Sequence, residues 1–169
     1  MLEQFIVPMN VAIRACREED LQALEWFGLF TDYRELIAKT FKRHQKGEVM
    51  MLVAEVNHFP IGQVWIDLVK KHQDSIGLVW ALRVMPCLQN LGIGSRLIST
   101  AERAIQSYGL TVAEIAVEKD NPTAKRLYAR LGYRVIVEST DEWNFTKLDG
   151  KTMHMVSQVW LMQKELTGP

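Results

Sequence analysis

Two rhythms of apolar and polar positions divide the chain. Val49–Val56 and residues 61–69 are runs rich in Val, Ile and Met, joined by Asn57-His58-Phe59-Pro60, which predicts a hairpin. In the second run Gly62, Val64, Ile66 and Leu68 share one face, and Ile61, Gln63, Trp65 and Asp67 share the other. After a polar turn over 70–75, residues 76–85 are almost wholly apolar, as expected of a strand covered on both faces. The period then lengthens. Ile93, Leu97, Ile98, Ala101, Ala104, Ile105 and Tyr108 predict one face of a helix over 92–108, stopped by Gly109. Residues 112–117 read as a strand. Asn121-Pro122 opens another helix, with Ala124, Leu127, Tyr128 and Leu131 as its inner stripe and Gly132 as its end. Residues 133–138 and 153–162 read as the last strands, separated by a long polar connection that ends in Asp149-Gly150.

Upstream, residues 11–15 read as a short strand. Glu18-Glu19-Asp20 supplies acids suited to a helix start, and Leu21, Leu24 and Phe27 follow at helical spacing. A second helix carries Tyr33, Leu36, Ile37, Thr40 and Phe41 on its inner face. Thr31 or Asp32 is its expected cap, Asp32 with Glu35 resembles a capping box, and Gly47 ends it. The order is strand, two helices, three strands, helix, strand, helix, two strands. It predicts a mixed α/β domain whose strand–helix–strand crossover sets two strands parallel. No repeat, low-complexity segment or linker interrupts it, so one domain over residues 1–169 is expected.

Composition narrows the partners. Lys plus Arg and Asp plus Glu are equal at 20 each, with no long run of either sign, which disfavours nucleic acid or an anionic membrane as the main partner. No apolar stretch reaches the length of a membrane-spanning helix. Residues 1–9 hold one acid and no base, unlike a secretory leader. The expectation is a cytoplasmic protein. Cys16 and Cys87 are far apart and match no zinc spacing, so they read as idle thiols and no metal is expected.

The candidate chemistry lies at Val84-Met85-Pro86-Cys87-Leu88-Gln89-Asn90-Leu91-Gly92-Ile93-Gly94-Ser95, where a strand passes through a turn into a helix. First-turn amides without partners and the helix dipole together favour an anion. A nucleoside-triphosphate loop would end in Gly-Lys-Ser/Thr, whereas Gly94 is followed by Ser95-Arg96. A dinucleotide site would want a third glycine where Leu97 stands. A third reading of the turn is acetyl-CoA.

Gln89-x-x-Gly92-x-Gly94 after Leu82-x-Val84-x-Pro86 resembles motif A of the GNAT family of N-acetyltransferases. Val117-x-x-x-Asn121-x-x-Ala124-x-x-Leu127-Tyr128-x-x-x-Gly132-Tyr133 is similar to motif B of that family. The two in order, with a strand between, are more specific than either alone. The resemblance implies the acyl-CoA N-acyltransferase fold: α/β, with a mixed, mostly antiparallel central sheet, a parallel splayed strand pair, and flanking helices. It implies that the amides of Gln89, Asn90, Leu91, Gly92, Ile93, Gly94 and Ser95 hold the pyrophosphate of acetyl-CoA. Leu82 and Val84 would offer main-chain groups to the pantetheine arm, and the Val84 N–H would meet the thioester oxygen. Asn121 matches a pantetheine contact and reads equally as a helix N-cap. Tyr128 matches the tyrosine that protonates the leaving thiolate and reads equally as a core aromatic. Arg96 is either a further cation for the phosphates or a solvated side chain.

The acceptor side is less defined. An alkyl amine with pKa about 10 is only about 0.1% neutral at pH 7, so its proton needs a destination. Family members often carry Glu or His at the positions of Leu78 or Trp80, which are apolar here. Asp67, Glu142 or a water chain are the remaining bases. Arg83, placed opposite Trp80 by simple alternation, reads as structural. The resemblance puts Trp26, Phe27, Phe30 and Tyr33 on one side of the acceptor mouth. Asp141, Glu142, Trp143 and Phe145 lie on the other, a set suited to a cationic amine. Trp160 and Met162 are candidates for a homodimer contact. Cys87 lies toward the pyrophosphate end, which argues against an acetyl-cysteine intermediate. The expected activity is direct transfer of acetyl from acetyl-CoA to a small-molecule primary amine. The alternatives are a non-catalytic acyl-CoA-binding module and an enzyme acting on protein lysines or N-termini.

Overall fold

A computed structural model describes residues 3–166. The expectations for residues 1–2 and 167–169, at the ends of the single domain and of the 1–9 stretch, lie outside the described residues. The elements are β1 (Ala12–Ala15), α1 (Asp20–Ala23), α2 (Arg34–Gln45), β2 (Val49–Val56), β3 (Phe59–Lys71), β4 (Ile76–Val84), α3 (Ile93–Ser107), β5 (Val112–Glu118), α4 (Pro122–Arg130), β6 (Arg134–Thr146) and β7 (Thr152–Glu165). They form a seven-stranded sheet in the order β1-β2-β3-β4-β5-β7-β6. Every neighbouring pair is antiparallel except β4 and β5, which run parallel. This is the expected mixed α/β architecture.

The alternation along β3 sorts the two layers. Ile93, Leu97, Ile98, Ala101 and Ile105 of α3 pack with Val64, Ile66, Leu68, Val79 and Ile115 on one face. Ile37 and Phe41 of α2 pack with Val49, Met51, Val53 and Trp65 on the other. Gly77 lets α3 seat closely, because a Cβ there would lie 2.6 Å from Ile105.

Four local expectations are corrected. The first helix is one turn, because Trp26, Phe27 and Gly28 all take positive φ. Trp26 Nε1–H donates to Pro60 O at 2.8 Å, which pulls the segment out of helical register. Phe27 is 87% exposed and stacks on Phe59 instead of facing inward. The capping box does not form. Tyr33 occupies the N-cap of α2 without a side-chain bond, and Asp32 pairs with Lys147. Tyr108 is 45% exposed at the end of α3. The polar connection between the last strands is mostly strand, since β6 runs to Thr146 and β7 begins at Thr152. Its sequence is polar because β5 pairs with β7 only up to Glu118↔Val159. Beyond that point β6 and β7 form a two-stranded ribbon from Thr140↔Gln158 to Thr146↔Thr152, wet on much of its surface.

Candidate active site

β4 and β5 pair over only four positions, from Ile76↔Val112 to Val79↔Ile115. Past these, β4 continues along β3 to Gly62↔Val84, while β5 continues along β7 to Glu118↔Val159. The two strands therefore part, leaving a gap beside the second half of β4. That is why β4 is mostly half-buried from Trp80 to Val84, and not covered on both faces as its apolar sequence suggested.

A β-bulge shapes the open half. Trp65 pairs with Trp80 but Gln63 pairs with Arg83, so β4 carries one extra residue there. Ala81 takes φ +52, and Ala81 and Leu82 have no register partner on β3. The Gln63 side chain fills in, its Nε2 donating to Ala81 O at 3.2 Å. The bulge also overturns one expectation. Gln63 and Trp65 share a face of β3, so their cross-strand partners Arg83 and Trp80 share a face of β4. Arg83 therefore looks toward α2 and not away from Trp80.

Farther along, the Met85 N–H donates to Ile61 O at 2.9 Å. By alternation the main-chain groups of Val84 turn away from β3, into the gap. The Val84 carbonyl accepts Gln89 Nε2–H at 3.1 Å, so the Gln89 side chain folds back on the strand. Asn90 (φ +63) and Gly92 (φ +82) are left-handed, and this coils the turn before α3. Among the described residues the amides of Asn90, Leu91, Gly92, Ile93, Gly94 and Ser95 donate to no group of the chain. The first closed bond is Arg96 N–H to Gly92 O at 3.1 Å. Six free donors at a helix N-terminus form an anion cradle. A Cβ on Gly94 would stand 3.8 Å from Val84, 3.9 Å from Leu127 and 4.0 Å from Leu82, so the ends of β4, α3 and α4 meet there. Arg96 is exposed on the first turn of α3.

Asn121 is the N-cap of α4, its Oδ1 accepting the Ala124 N–H at 3.0 Å. Tyr128, one residue past Leu127, is buried and set edge-on to Tyr133 at 5.8 Å. Burial holds its pKa well above the ordinary phenol value, so it stays protonated.

The acceptor side gains definition from the ribbon. Tyr33 stacks on Phe145 at 4.6 Å and lies 6.2 Å from Trp143, and Lys147 pairs with Asp32 at 3.2 Å. The two aromatic groups expected to flank a mouth therefore touch, and Phe30 joins them 6.1 Å from Tyr33. The Arg83 guanidinium lies 3.9 Å from the Phe30 ring centre. The proposed bases fare less well. Asp67 stands opposite Leu78, where β4 and β5 are still paired. Its oxygens take Arg43 at 2.9 Å and the amides of Val69 and Lys70. Glu142 is exposed and alternates with Trp143, so it points off the ribbon's opposite face, beside His154. Neither dimer candidate forms an open patch, since Met162 is buried and Trp160 is covered by Lys119 and Lys125. Cys87 is exposed in the turn after β4 and Cys16 is buried.

Sequence reasoning missed the bulge, the role of Gln63 in filling it, and the side on which Arg83 sits. Its one signal was a pair of polar residues, Gln63 and Arg83, inside otherwise apolar strands.

Residues 10–133 match the family model described as the acetyltransferase (GNAT) family. Over 64 residues the chain is 38% identical to a mycothiol acetyltransferase of Actinosynnema mirum, a match covering 38% of this chain and 22% of that protein. The chain thus spans about a fifth of the length of the curated relatives it matches. The yncA protein of Salmonella typhimurium, solved with its cofactor acetyl-CoA, superposes with TM-score 0.72 at 18% identity, covering 95% of this chain and 96% of the other. The PaiA N-acetyltransferase of Thermoplasma acidophilum, in complex with coenzyme A, gives TM-score 0.66 at 20% identity over 93% and 99%.

Proposed function

As the chain belongs to the acetyltransferase (GNAT) family, we propose that it is an acetyl-CoA-dependent N-acetyltransferase acting on a primary amine of a small molecule. The observation that carries this is the parting of β4 and β5 beyond Val79 and Ile115, with six free amides at its mouth. The amides of Asn90 through Ser95, chiefly about Gly92 and Gly94, hold the pyrophosphate, while the Gln89 N–H expected to join them is taken by Pro86 O at 3.4 Å. Leu82, Val84 and Asn121 line the pantetheine arm. The amine attacks the thioester carbon, a C–N bond forms, and the C–S bond breaks. The Val84 N–H stabilises the oxyanion, and Tyr128 gives its proton to the departing thiolate. With Asp67 committed to Arg43 and Glu142 turned away, the amine's proton leaves to water.

A small acceptor is supported by the ribbon, which closes onto Tyr33 through Phe145 and onto Asp32 through Lys147. We further propose one domain over 1–169, working in the cytoplasm. No helix among the described residues is long and apolar enough to cross a membrane. A homodimer would use the exposed Val135, Ile136 and Val137 of the outer strand β6, and sedimentation equilibrium of Ile136→Lys tests it.

Calorimetric titration with acetyl-CoA, followed by thiol release with a panel of amines, tests the activity. Binding with amine-dependent release is expected. Binding without release for any amine would favour an acyl-CoA-binding module, and absence of binding would overturn the assignment.

A further inference from the structure

Among the described residues, five buried side-chain nitrogen or oxygen atoms lack a hydrogen-bond partner, and three of them lie together on the α2 face of the open half of the sheet. They are Gln63 Oε1, Trp65 Nε1 and Arg83 Nε. Gln63 and Trp65 are 0% and 1% exposed, and Arg83 is the direct cross-strand partner of Gln63. Buried polar atoms are ordinarily satisfied, so a cluster of exceptions points to a missing polar group.

Arg83 is the centre of this cluster. Three arginines of the chain are partly buried: Arg14, Arg43 and Arg83. Arg14 holds Asp20 and Glu55, and Arg43 holds Glu48 and Asp67. Arg83 holds no carboxylate among the described residues. Its surroundings are the rings of Phe30 at 3.9 Å and Trp65 at 5.9 Å. Burial lowers its pKa to about 10, which leaves it charged at neutral pH. A planar, desolvated cation with unused donors is a strong receptor for a carboxylate, which it can grip with two parallel hydrogen bonds.

Its position relates it to the gap. Val84, the next residue, turns its main chain into the space beside β4, while the Arg83 side chain crosses to the aromatic side. A molecule gripped by Arg83 would therefore stand one residue away from the groups facing the thioester. We propose that Arg83 receives a carboxylate of the acceptor, so that the substrate class is amines carrying a carboxylate, with α-amino acids as the smallest members. This rests on the N-acetyltransferase reading above. Phe30, Tyr33 and Trp143 would then hold the remainder of the acceptor.

The test compares amino acids with their primary amides and their decarboxylated amines, using acetyl-CoA and thiol release, with rates normalised to free amine. The acids are expected to exceed the matched neutral amines about 10- to 100-fold in kcat/KM, the range of a charge-assisted bond. Arg83→Met should remove that difference while leaving the acetyl-CoA Kd within about twofold, given the scatter of distant substitutions. Equal use of acids and amides by the wild type, or inert acids, would overturn the proposal. Loss of acetyl-CoA binding by the wild type would instead overturn the underlying activity. Should Arg83→Met fail to fold by circular dichroism, Arg83→Lys is used. A raised KM for acids alone then supports the proposal, and an unchanged KM overturns it.

Discussion

Burial drives the Tyr128 pKa far above neutral, so its phenol stays protonated at working pH. Tyr128→Phe keeps the ring and the packing against Tyr133. It should lower kcat by about 10²- to 10⁴-fold while the acetyl-CoA Kd stays within about twofold, read from steady-state kinetics and calorimetry. Unchanged turnover would remove the acid role. Cys16 carries a second expectation. Burial raises its thiol from 9.0 to about 12. Above pH 9 the unfolded chain loses this proton while the folded chain keeps it, so folding stability falls as pH rises through 9 to 12. The slope is at most about 1.4 kcal/mol per pH unit for one group. Tyr128 and Tyr133, also raised, add to it from about pH 10, the ordinary phenol value. Urea unfolding at stepped pH should show the onset move from about 9 to about 10 in Cys16→Ala. At this scale the sequence was legible where residue type dictates local structure, as with the left-handed turn at Gly92 and the N-cap at Asn121. It was illegible at Arg83, because one extra residue in β4 reverses the side on which a later side chain falls.

The elements divide in the same way. α3 was readable because its burial repeats every three or four residues and Gly92 and Gly109 mark its ends. The outer ends of β6 and β7 were not, because a two-stranded ribbon beyond the sheet has little apolar alternation to display. The first helix failed for a tertiary reason, the bond from Trp26 to Pro60 some thirty residues away in sequence. The ribbon is where an element-scale prediction belongs. Phe145→Ala removes its stack on Tyr33 and should loosen residues 140–158. The acceptor KM should rise about two- to tenfold, in line with the loss of one aromatic contact of about 0.5–1.5 kcal/mol. The acetyl-CoA Kd should not change, because the amide cradle lies elsewhere. Equal effects on both ligands would show that the ribbon does not belong to the acceptor side.

For the whole molecule, the order of elements was enough to foresee a mixed sheet with one parallel pair, since a strand–helix–strand crossover admits few topologies. The width of the gap was not foreseeable, because it depends on where pairing stops and not on which residues are apolar. If acetyl-CoA occupies that gap, it binds only the folded chain. At 100 times its Kd it should stabilise the fold by about 2.7 kcal/mol, seen as a rise in Tm. Hydrogen exchange should slow at Val84 and at the amides of residues 90–95, and little at Val64 or Ile66 in the closed sheet. Exchange unaltered at 90–95 would place the ligand elsewhere.

The four-position pairing of β4 with β5 has a mechanical meaning. Among the described residues it is the sole strand pairing that joins the β1–β4 half to the β5–β7–β6 half. The ribbon, with Phe145 on Tyr33 and Lys147 on Asp32, ties the same halves again at a distance. The sheet is thus a frame joined along one short side and buttoned on another. Unbuttoning it with Asp32→Ala and Tyr33→Ala leaves the joined side alone to hold the width. An enzyme so changed should accept thioesters with longer acyl chains at the expense of its rate with acetyl. Chain-length selectivity in this fold would then be a property of a latch far from the thioester, and not of the residues that touch it.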